Sequence, residues 1–282
     1  MPVMSIAVVT DSTAYLPAEL IAAGGLTVVP LGVAIDGVEG REGLDVSPDD
    51  VARALGARRL AVTTSRPSPA ELSTVYGKLL AAGATGIVSV HLSAKLSGTY
   101  DAAVLAAADH PGLVEVVDSL STGMGLGFPA LHARGEDLAA ARAAALAAVA
   151  RTTTLFYVDT LEYLRRGGRI GAASALLGTA LSVKPILHMA DGEIVVRDKV
   201  RTATRAMGRL VDLAVEAAGE SDVDIAVHHL AAPGRATELT AALTDRLGVR
   251  MKACYQTEIG AAVGAHAGPG LVSVVVHNRS TA

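Results

Sequence analysis

The chain is poor in aromatic residues: its 282 residues include two Phe, six Tyr and no Trp. Proteins that bind single-stranded nucleic acid usually stack bases on aromatic rings, and any phosphate backbone calls for a basic surface. The formal net charge of −4 provides no excess of basic residues. The composition therefore argues against a nucleic-acid-binding protein.

Cysteine is nearly absent, because Cys254 is the only one in the sequence. One cysteine cannot form an internal disulfide framework or a Cys-based zinc site. This cysteine usage fits a reducing compartment, and we expect the protein to be cytoplasmic.

Long apolar runs are also lacking. The apolar stretch 170–187 is interrupted by polar residues and Pro185, so it falls short of the roughly 18 residues needed for a membrane span. The first ten residues are apolar but lack the basic region of a signal peptide, and we read them as a first strand. No coiled-coil heptads occur, so we expect a monomer.

Hydrophobic residues make up 51% of the chain, and in the first half they form short runs that precede hydroxyl-rich loops and helical patterns. This order of strand, loop and helix is typical of a parallel sheet, which collects ligands at the carboxyl ends of its strands. We predict an N-terminal three-layer α/β/α domain over residues 1–153. Four of its loops are expected on one rim of the sheet, and they follow the runs 6–9, 60–62, 86–90 and 113–117.

The pattern changes near residue 152. A strand at 155–158 is followed by Asp191-Gly192, which is a hairpin signal between two apolar runs. We predict a C-terminal α+β domain with a mixed sheet over residues 154–282. The segment from Gly171 to Val183 is apolar or small nearly all round, which predicts a helix that is buried in the core or lines an apolar cavity.

Two hydroxyl-rich loops stand out, at 64–68 and 93–100. Hydroxyls and free backbone N–H groups at helix starts suit an anion, although Ser and Thr are also ordinary helix caps. Ser68 and Glu71 have the spacing of a capping box, so we assign Ser68 a structural role. Thr64 and Ser65 precede this box and are freer to face a ligand.

Taken together, five segments in order resemble the DegV family of bacterial lipid-binding proteins. These segments are 9–13, 64–68, 96–100, 161–170 and 264–270. The resemblance implies a protein that is not itself an enzyme and holds one long-chain fatty acid without a metal or other cofactor. The N-terminal domain would bind the carboxylate and the C-terminal domain would enclose the tail. A separate ATP-dependent fatty acid kinase would then convert the acid to an acyl-phosphate for phospholipid synthesis.

The resemblance also implies which residues bind the carboxylate. Thr64 and Ser97 would be ligands, with His266 brought nearby by a Gly-rich loop, and Ser65 and Gly98 belong to the same motifs. The family commonly has Gln at the position of Arg66, so this chain adds a positive charge near the headgroup.

Several arginines stand out in a net-acidic chain. They are either ordinary solvated charges or a docking surface for an acidic face of the kinase or for membrane headgroups during transient contact. The candidates for docking are Arg165, Arg169, Arg201 and Arg205.

Three other functions remain open at this point. A serine hydrolase could use Ser97, His266 and an acid such as Asp11, although the Gly-x-Ser-x-Gly elbow is missing. A nucleotide binder would need a P-loop or a Gly-x-Gly-x-x-Gly motif after the first strand, and neither is present. A different hydrophobic carboxylate could also occupy the same site.

Overall fold

The computed structural model describes residues 6–56, 60–176 and 183–279. Seven strands lie in the first part of the described chain: β1 (Ile6–Asp11), β2 (Leu26–Val29), β3 (Gly32–Ile35), β4 (Val38–Arg41), β5 (Val62–Ser65), β6 (Gly86–His91) and β7 (Val114–Asp118). The helices among them are α1 (Ala18–Gly24), α2 (Pro48–Gly56), α3 (Pro69–Ala81), α4 (Thr99–Ala107), α5 (Met124–His132) and α6 (Leu138–Ala150).

Four of these strands form a parallel sheet in the order β2-β1-β6-β7. All six residues of β6 are buried, because helices cover both faces of the sheet. Val9 and Ile87 pack against α3 and α4, while Val8 and Val88 pack against α5 and α6. The predicted three-layer α/β/α arrangement is therefore confirmed.

A second, antiparallel sheet with the order β4-β3-β5 was not predicted. The chain leaves the parallel sheet after Val29 and resumes as β3 in the small sheet. Pro30 separates the two strands, since proline has no N–H to donate to a ladder. Thr64 lies in β5 opposite Val33. The prediction that the loop around Thr64 lies on the rim of the parallel sheet was therefore wrong.

The remaining strands are β8 (Thr152–Tyr157), β9 (Lys184–Ala190), β10 (Glu193–Val200), β11 (Val223–His229), β12 (Met251–Glu258) and β13 (Val272–Asn278). They form one sheet in the order β10-β9-β8-β13-β11-β12, in which only β11 and β12 pair in parallel. The predicted mixed sheet is therefore confirmed. The helices of this part are α7 (Glu162–Arg166), α8 (Ala203–Ala218), α9 (Pro233–Leu247) and α10 (Ala261–Ala267).

The first strand of this mixed sheet begins at Thr152, next to the boundary that we predict between residues 153 and 154. Helices α8 and α9 cover one face through an apolar cluster that includes Leu210 and Leu239. The helix predicted from Gly171 to Val183 begins as a 3-10 helix over 171–176, and residues 177–182 lie outside the described residues. Within the described ranges, no helix is both long and apolar enough to cross a membrane.

Candidate functional site

A cavity of about 850 Å³, including its opening to solvent, lies between the small antiparallel sheet, the loops after β1, β6 and β7, and the mixed sheet. Most of the wall is apolar. The apolar lining residues are Leu31, Leu92, Leu96, Phe156, Leu164, Met189, Ile194, Ile259, Ala262, Val263, Ala267 and Leu271.

Three of the predicted carboxylate ligands line this one cavity: Thr64, Ser97 and His266. Thr64 Oγ1 lies 2.9 Å from His266 Nε2, and Ser97 Oγ lies 2.9 Å from Thr99 Oγ1. Thr64 belongs to strand β5, Ser97 to the loop before α4, and His266 to helix α10. The fold thus brings together side chains from three distant parts of the chain.

The other two predicted ligands are not among the residues that line the cavity. Ser65 follows Thr64 in β5 and is exposed, because successive side chains of a strand point to opposite faces. Gly98 is the N-cap of α4, and its carbonyl accepts a hydrogen bond of 3.3 Å from Arg66 Nη1. Arg66 therefore links the two loops that precede α3 and α4.

His266 is neutral at physiological pH, because burial lowers its pKa to about 4, with the charge of Arg169 as a smaller contribution. Its Nδ1 is buried and has no hydrogen-bond partner among the described residues. A proton on Nδ1 would be an unpaired buried donor, so we place the proton on Nε2, which then donates to Thr64 Oγ1. The hydroxyl proton of Thr64 is consequently free to point into the cavity.

A glycine makes room for the imidazole of His266. A Cβ atom at Gly167 would collide with His266 Nδ1. The carbonyl of Gly167 accepts a hydrogen bond of 2.5 Å from Arg169 Nη1. The short loop after α7 is therefore shaped around the histidine side chain.

Arg169 was predicted as a docking residue, but its side chain lines the cavity. Its Nε donates a hydrogen bond of 3.0 Å to the carbonyl of Leu96, the residue before Ser97. The guanidinium thus links the loop that contains Ser97 to the C-terminal half of the chain. It also adds a positive charge to the cavity wall, which favours an anion there.

The other predicted docking arginines are exposed. Arg165 forms a two-pronged ion pair with Glu162, at 2.8 and 2.7 Å. Arg201 and Arg205 form no ion pair with any residue that the structure describes. They flank the start of α8.

The rest of the polar lining is already hydrogen-bonded within the protein. Thr13 Oγ1 donates to Asp11, Thr122 Oγ1 to the carbonyl of Thr13, and Ser273 Oγ to the carbonyl of Leu155. Thr154 Oγ1 pairs with Ser121 Oγ at 2.9 Å. His228 also uses both ring nitrogens, bonding Met124 N and Thr257 Oγ1. A ligand in the cavity therefore does not have to supply hydrogen-bond partners for these groups.

The serine hydrolase alternative required Ser97, His266 and an acid such as Asp11 to form one hydrogen-bonded set. His266 Nε2 instead contacts Thr64, while Asp11 Oδ2 lies 3.0 Å from His91 Nδ1. The described residues also contain no group of three or more His, Cys, Asp or Glu that could hold a metal ion.

A chain of Ser, His and Asp does exist elsewhere, since Ser89 Oγ lies 2.7 Å from His91 Nε2. Ser89, His91 and Asp11 are all fully buried, and Ser89 also accepts a hydrogen bond from Tyr76. A substrate cannot reach this serine, so the network stabilises the parallel sheet.

His266 lies on helix α10, whereas the glycines of the 264–270 segment suggested a loop. One signal was present: Ala262, Val263 and His266 have the three- and four-residue spacing of a single helix face. All three line the cavity.

Comparison with known proteins agrees with this architecture. The profile of the family described as "Uncharacterised protein, DegV family" matches residues 5–279. A DegV domain-containing protein from Streptomyces coelicolor is 50% identical over 279 residues, which cover 97% of this chain and 99% of the relative.

Two solved structures are similar over nearly the whole chain. One, described as fatty acid binding of a DegV family protein from Thermus thermophilus, has a TM-score of 0.92 and 32% identity, covering 98% of this chain and 100% of that one. The other is DegV from Bacillus subtilis, described as a fatty acid binding protein. It has a TM-score of 0.88 and 29% identity, and it also covers 98% of this chain and 100% of that one. The predicted family is therefore confirmed: the chain belongs to the DegV family.

Proposed function

We propose that the protein binds one long-chain fatty acid, with the carboxylate held by the hydroxyls of Thr64 and Ser97, His266 orienting the hydroxyl of Thr64, and the tail in the apolar cavity. The observation that carries this proposal is the hydrogen-bonded pair of Thr64 and His266 in the wall of a cavity that is otherwise mostly apolar. The DegV proteins from Thermus thermophilus and Bacillus subtilis, described as fatty acid binding, support the same ligand class.

The cavity wall suits an aliphatic tail. Each methylene that leaves water for an apolar environment contributes about 0.8 kcal/mol. The hydroxyls that line the cavity away from Thr64 and Ser97 already bond protein groups, so a tail that covers them leaves no donor unpaired. A long chain would thus provide most of the affinity.

The carboxylate needs donors, because a charged group that leaves water without hydrogen bonds is strongly disfavoured. With His266 donating to Thr64, the hydroxyl of Thr64 is free to donate to the ligand. Ser97 is free to donate if Thr99 is the donor in the contact between their hydroxyls. Arg169 adds a positive charge in the same wall.

We further propose that the chain performs no chemistry on the acid and presents it to a separate fatty acid kinase, as the family resemblance implies. Arg201 and Arg205 support a docking role, because they are exposed and form no ion pair with the described residues. We place this exchange in the cytoplasm, with the protein acting as a monomer that contacts the membrane transiently.

Ligand identity is tested by denaturing extraction of the purified protein, followed by mass spectrometry. We expect a fatty acid near one per chain, with about 14 to 18 carbon atoms, which is the range that the family resemblance implies and a tail long enough to gain affinity from methylene burial. Recovery of a different hydrophobic carboxylate would replace the fatty acid in this proposal. Neither recovery nor rebinding of any acid would refute it.

Docking is tested with the double variant Arg201→Glu, Arg205→Glu in a coupled assay with the fatty acid kinase. We expect slower acyl-phosphate formation, with a weaker salt dependence, and unchanged fatty acid affinity. Lys78→Glu on α3 is the control, because Lys78 is exposed and forms no ion pair with the described residues. Arg169 is left intact because it lines the cavity. Equal loss of lipid binding and kinase coupling would contradict the docking role.

A further inference from the structure

Glu42 is a buried carboxylate to which the site described above assigns no role. It follows β4, and only 5% of its surface is exposed. Three donors surround it: Ser12 Oγ, Tyr15 OH at 3.1 Å and the backbone N–H of Ala262 at 2.7 Å. Two of these donors come from the loop after β1, and the third comes from helix α10, 220 residues away.

Helix α10 lacks a cap of its own. Its N-cap residue is Gly260, which has no side chain to accept a hydrogen bond from the first N–H groups of the helix. Those N–H groups are satisfied from the other half of the chain: Ala262 N donates to Glu42 and Val263 N donates to Tyr15 OH at 3.1 Å. A carboxylate at this end also interacts favourably with the helix dipole.

The fit between these groups is close. A Cβ atom at Gly260 would collide with both Glu42 and Tyr15. Tyr15 has a φ of 47°, in the left-handed region that a bulky side chain rarely adopts. Its hydroxyl donates to Glu42 and accepts from Val263, and these two bonds hold it in that conformation.

The capped end of α10 lies within one turn of His266, the residue that contacts Thr64. Ala262 and Val263 lie four and three residues before His266, so all three occupy one face of the helix. That face lines the cavity. A rotation or shift of the first turn would therefore move the imidazole of His266 away from Thr64.

We propose that Glu42 and Tyr15 are positioning residues, which cap α10 from the N-terminal half and thereby set the orientation of His266 against Thr64. This inference rests on the proposed function, because it explains how the two halves of the chain keep the carboxylate site aligned. Neither residue touches the ligand in this arrangement, and both act through the backbone of α10.

The test compares Glu42→Gln and Tyr15→Phe with the wild type in palmitate titrations. Because hydrogen bonds to charged groups are the stronger ones, we expect about a tenfold loss of affinity for Glu42→Gln and roughly a threefold loss for Tyr15→Phe. Asp137→Asn is the matched control, since Asp137 caps α6 by accepting from Ala140 N and does not line the cavity.

A double-mutant cycle separates positioning from general destabilisation. In a His266→Ala background, Glu42→Gln should change palmitate affinity by less than about twofold, because the residue that it positions is gone. Additive losses in the two backgrounds would overturn the proposal.

Side-chain ¹⁵N spectra of histidine provide a readout that needs no ligand. In Glu42→Gln the ring signals of His266 should shift, while those of the buried His91 should stay in place. Unchanged His266 signals in a folded Glu42→Gln variant would overturn the positioning role even if palmitate is not the ligand. If Glu42→Gln does not fold, Tyr15→Phe takes its place in both measurements.

Discussion

Thr64 Oγ1 and His266 Nε2 lie 2.9 Å apart although 202 residues separate them in the sequence. One belongs to a strand of the small antiparallel sheet and the other to a short helix of the C-terminal half. The contact depends on how the two halves pack, and the carboxylate site that we propose is therefore a property of the assembled fold.

Replacement of Thr64 by Val keeps the shape of the side chain and removes its hydroxyl. We expect fatty acid affinity to fall by about 10- to 100-fold, the equivalent of a lost hydrogen bond to a charged group. Palmitate titration measures the change. Thr63→Val is the matched control, because Thr63 is the exposed neighbour on the same strand. Similar losses in both variants would remove Thr64 from the site.

Replacement of Gly167 by Ala tests the space reserved for His266. The added methyl group would collide with His266 Nδ1, so we expect weaker fatty acid binding, together with some loss of thermal stability. Gly208→Ala is the control, because a Cβ at this position of helix α8 meets nothing within 4 Å. Alanine there should raise stability by roughly 0.5–1 kcal/mol. Unaltered binding in Gly167→Ala would show that the imidazole is free to move.

Replacement of Ser97 by Ala distinguishes binding from catalysis. We expect about a tenfold loss of affinity, in line with one hydrogen bond to a charged group. The wild type should show no turnover of a generic ester such as p-nitrophenyl butyrate, so the variant should have none to lose. Ser73→Ala is the control, since Ser73 lies on helix α3 and contacts His110. Ester turnover that disappears only in Ser97→Ala would restore the hydrolase alternative.

The stability of the fold should depend on pH below neutrality. Burial lowers the pKa of His228 and His266 to about 4 and that of His277 to about 3, so these side chains stay neutral in the folded protein. The unfolded chain takes up protons below its histidine pKa of about 6.5, which favours unfolding as the pH falls. At pH 5 each histidine should lower the free energy of unfolding by about 2 kcal/mol relative to pH 7.

Urea denaturation at pH 7 and pH 5 measures this dependence. His277→Gln removes one of the three groups. The difference in the free energy of unfolding between pH 7 and pH 5 should therefore shrink by about 2 kcal/mol. The comparison within each variant cancels any general loss of stability. An unchanged difference would mean that His277 does not stay neutral in the folded chain.

The sequence was informative where local pattern decides structure. Apolar runs followed by polar loops were sufficient to predict the parallel sheet, and Asp191-Gly192 was sufficient to predict the hairpin of β9 and β10. The Ser68 capping box is formed as its spacing predicted. These features depend on residues that are close together in the sequence.

The sequence was less informative where packing between distant segments decides structure. Helix α5 contains Gly125, Gly127 and Pro129, which disfavour a helix locally, yet nearly the whole helix is buried between the parallel sheet and β13. Glu42 carries no spacing signal, because its partners Tyr15 and Ala262 are brought to it only by the fold.

The hydrogen bonds of the cavity wall have a consequence for the fatty acid binding that we propose. Hydroxyls such as those of Thr122 and Ser273 keep their protons on backbone acceptors of the protein, so they need no new partner when an acyl chain arrives or departs. Repeated loading and unloading would then leave the interior bonding pattern intact.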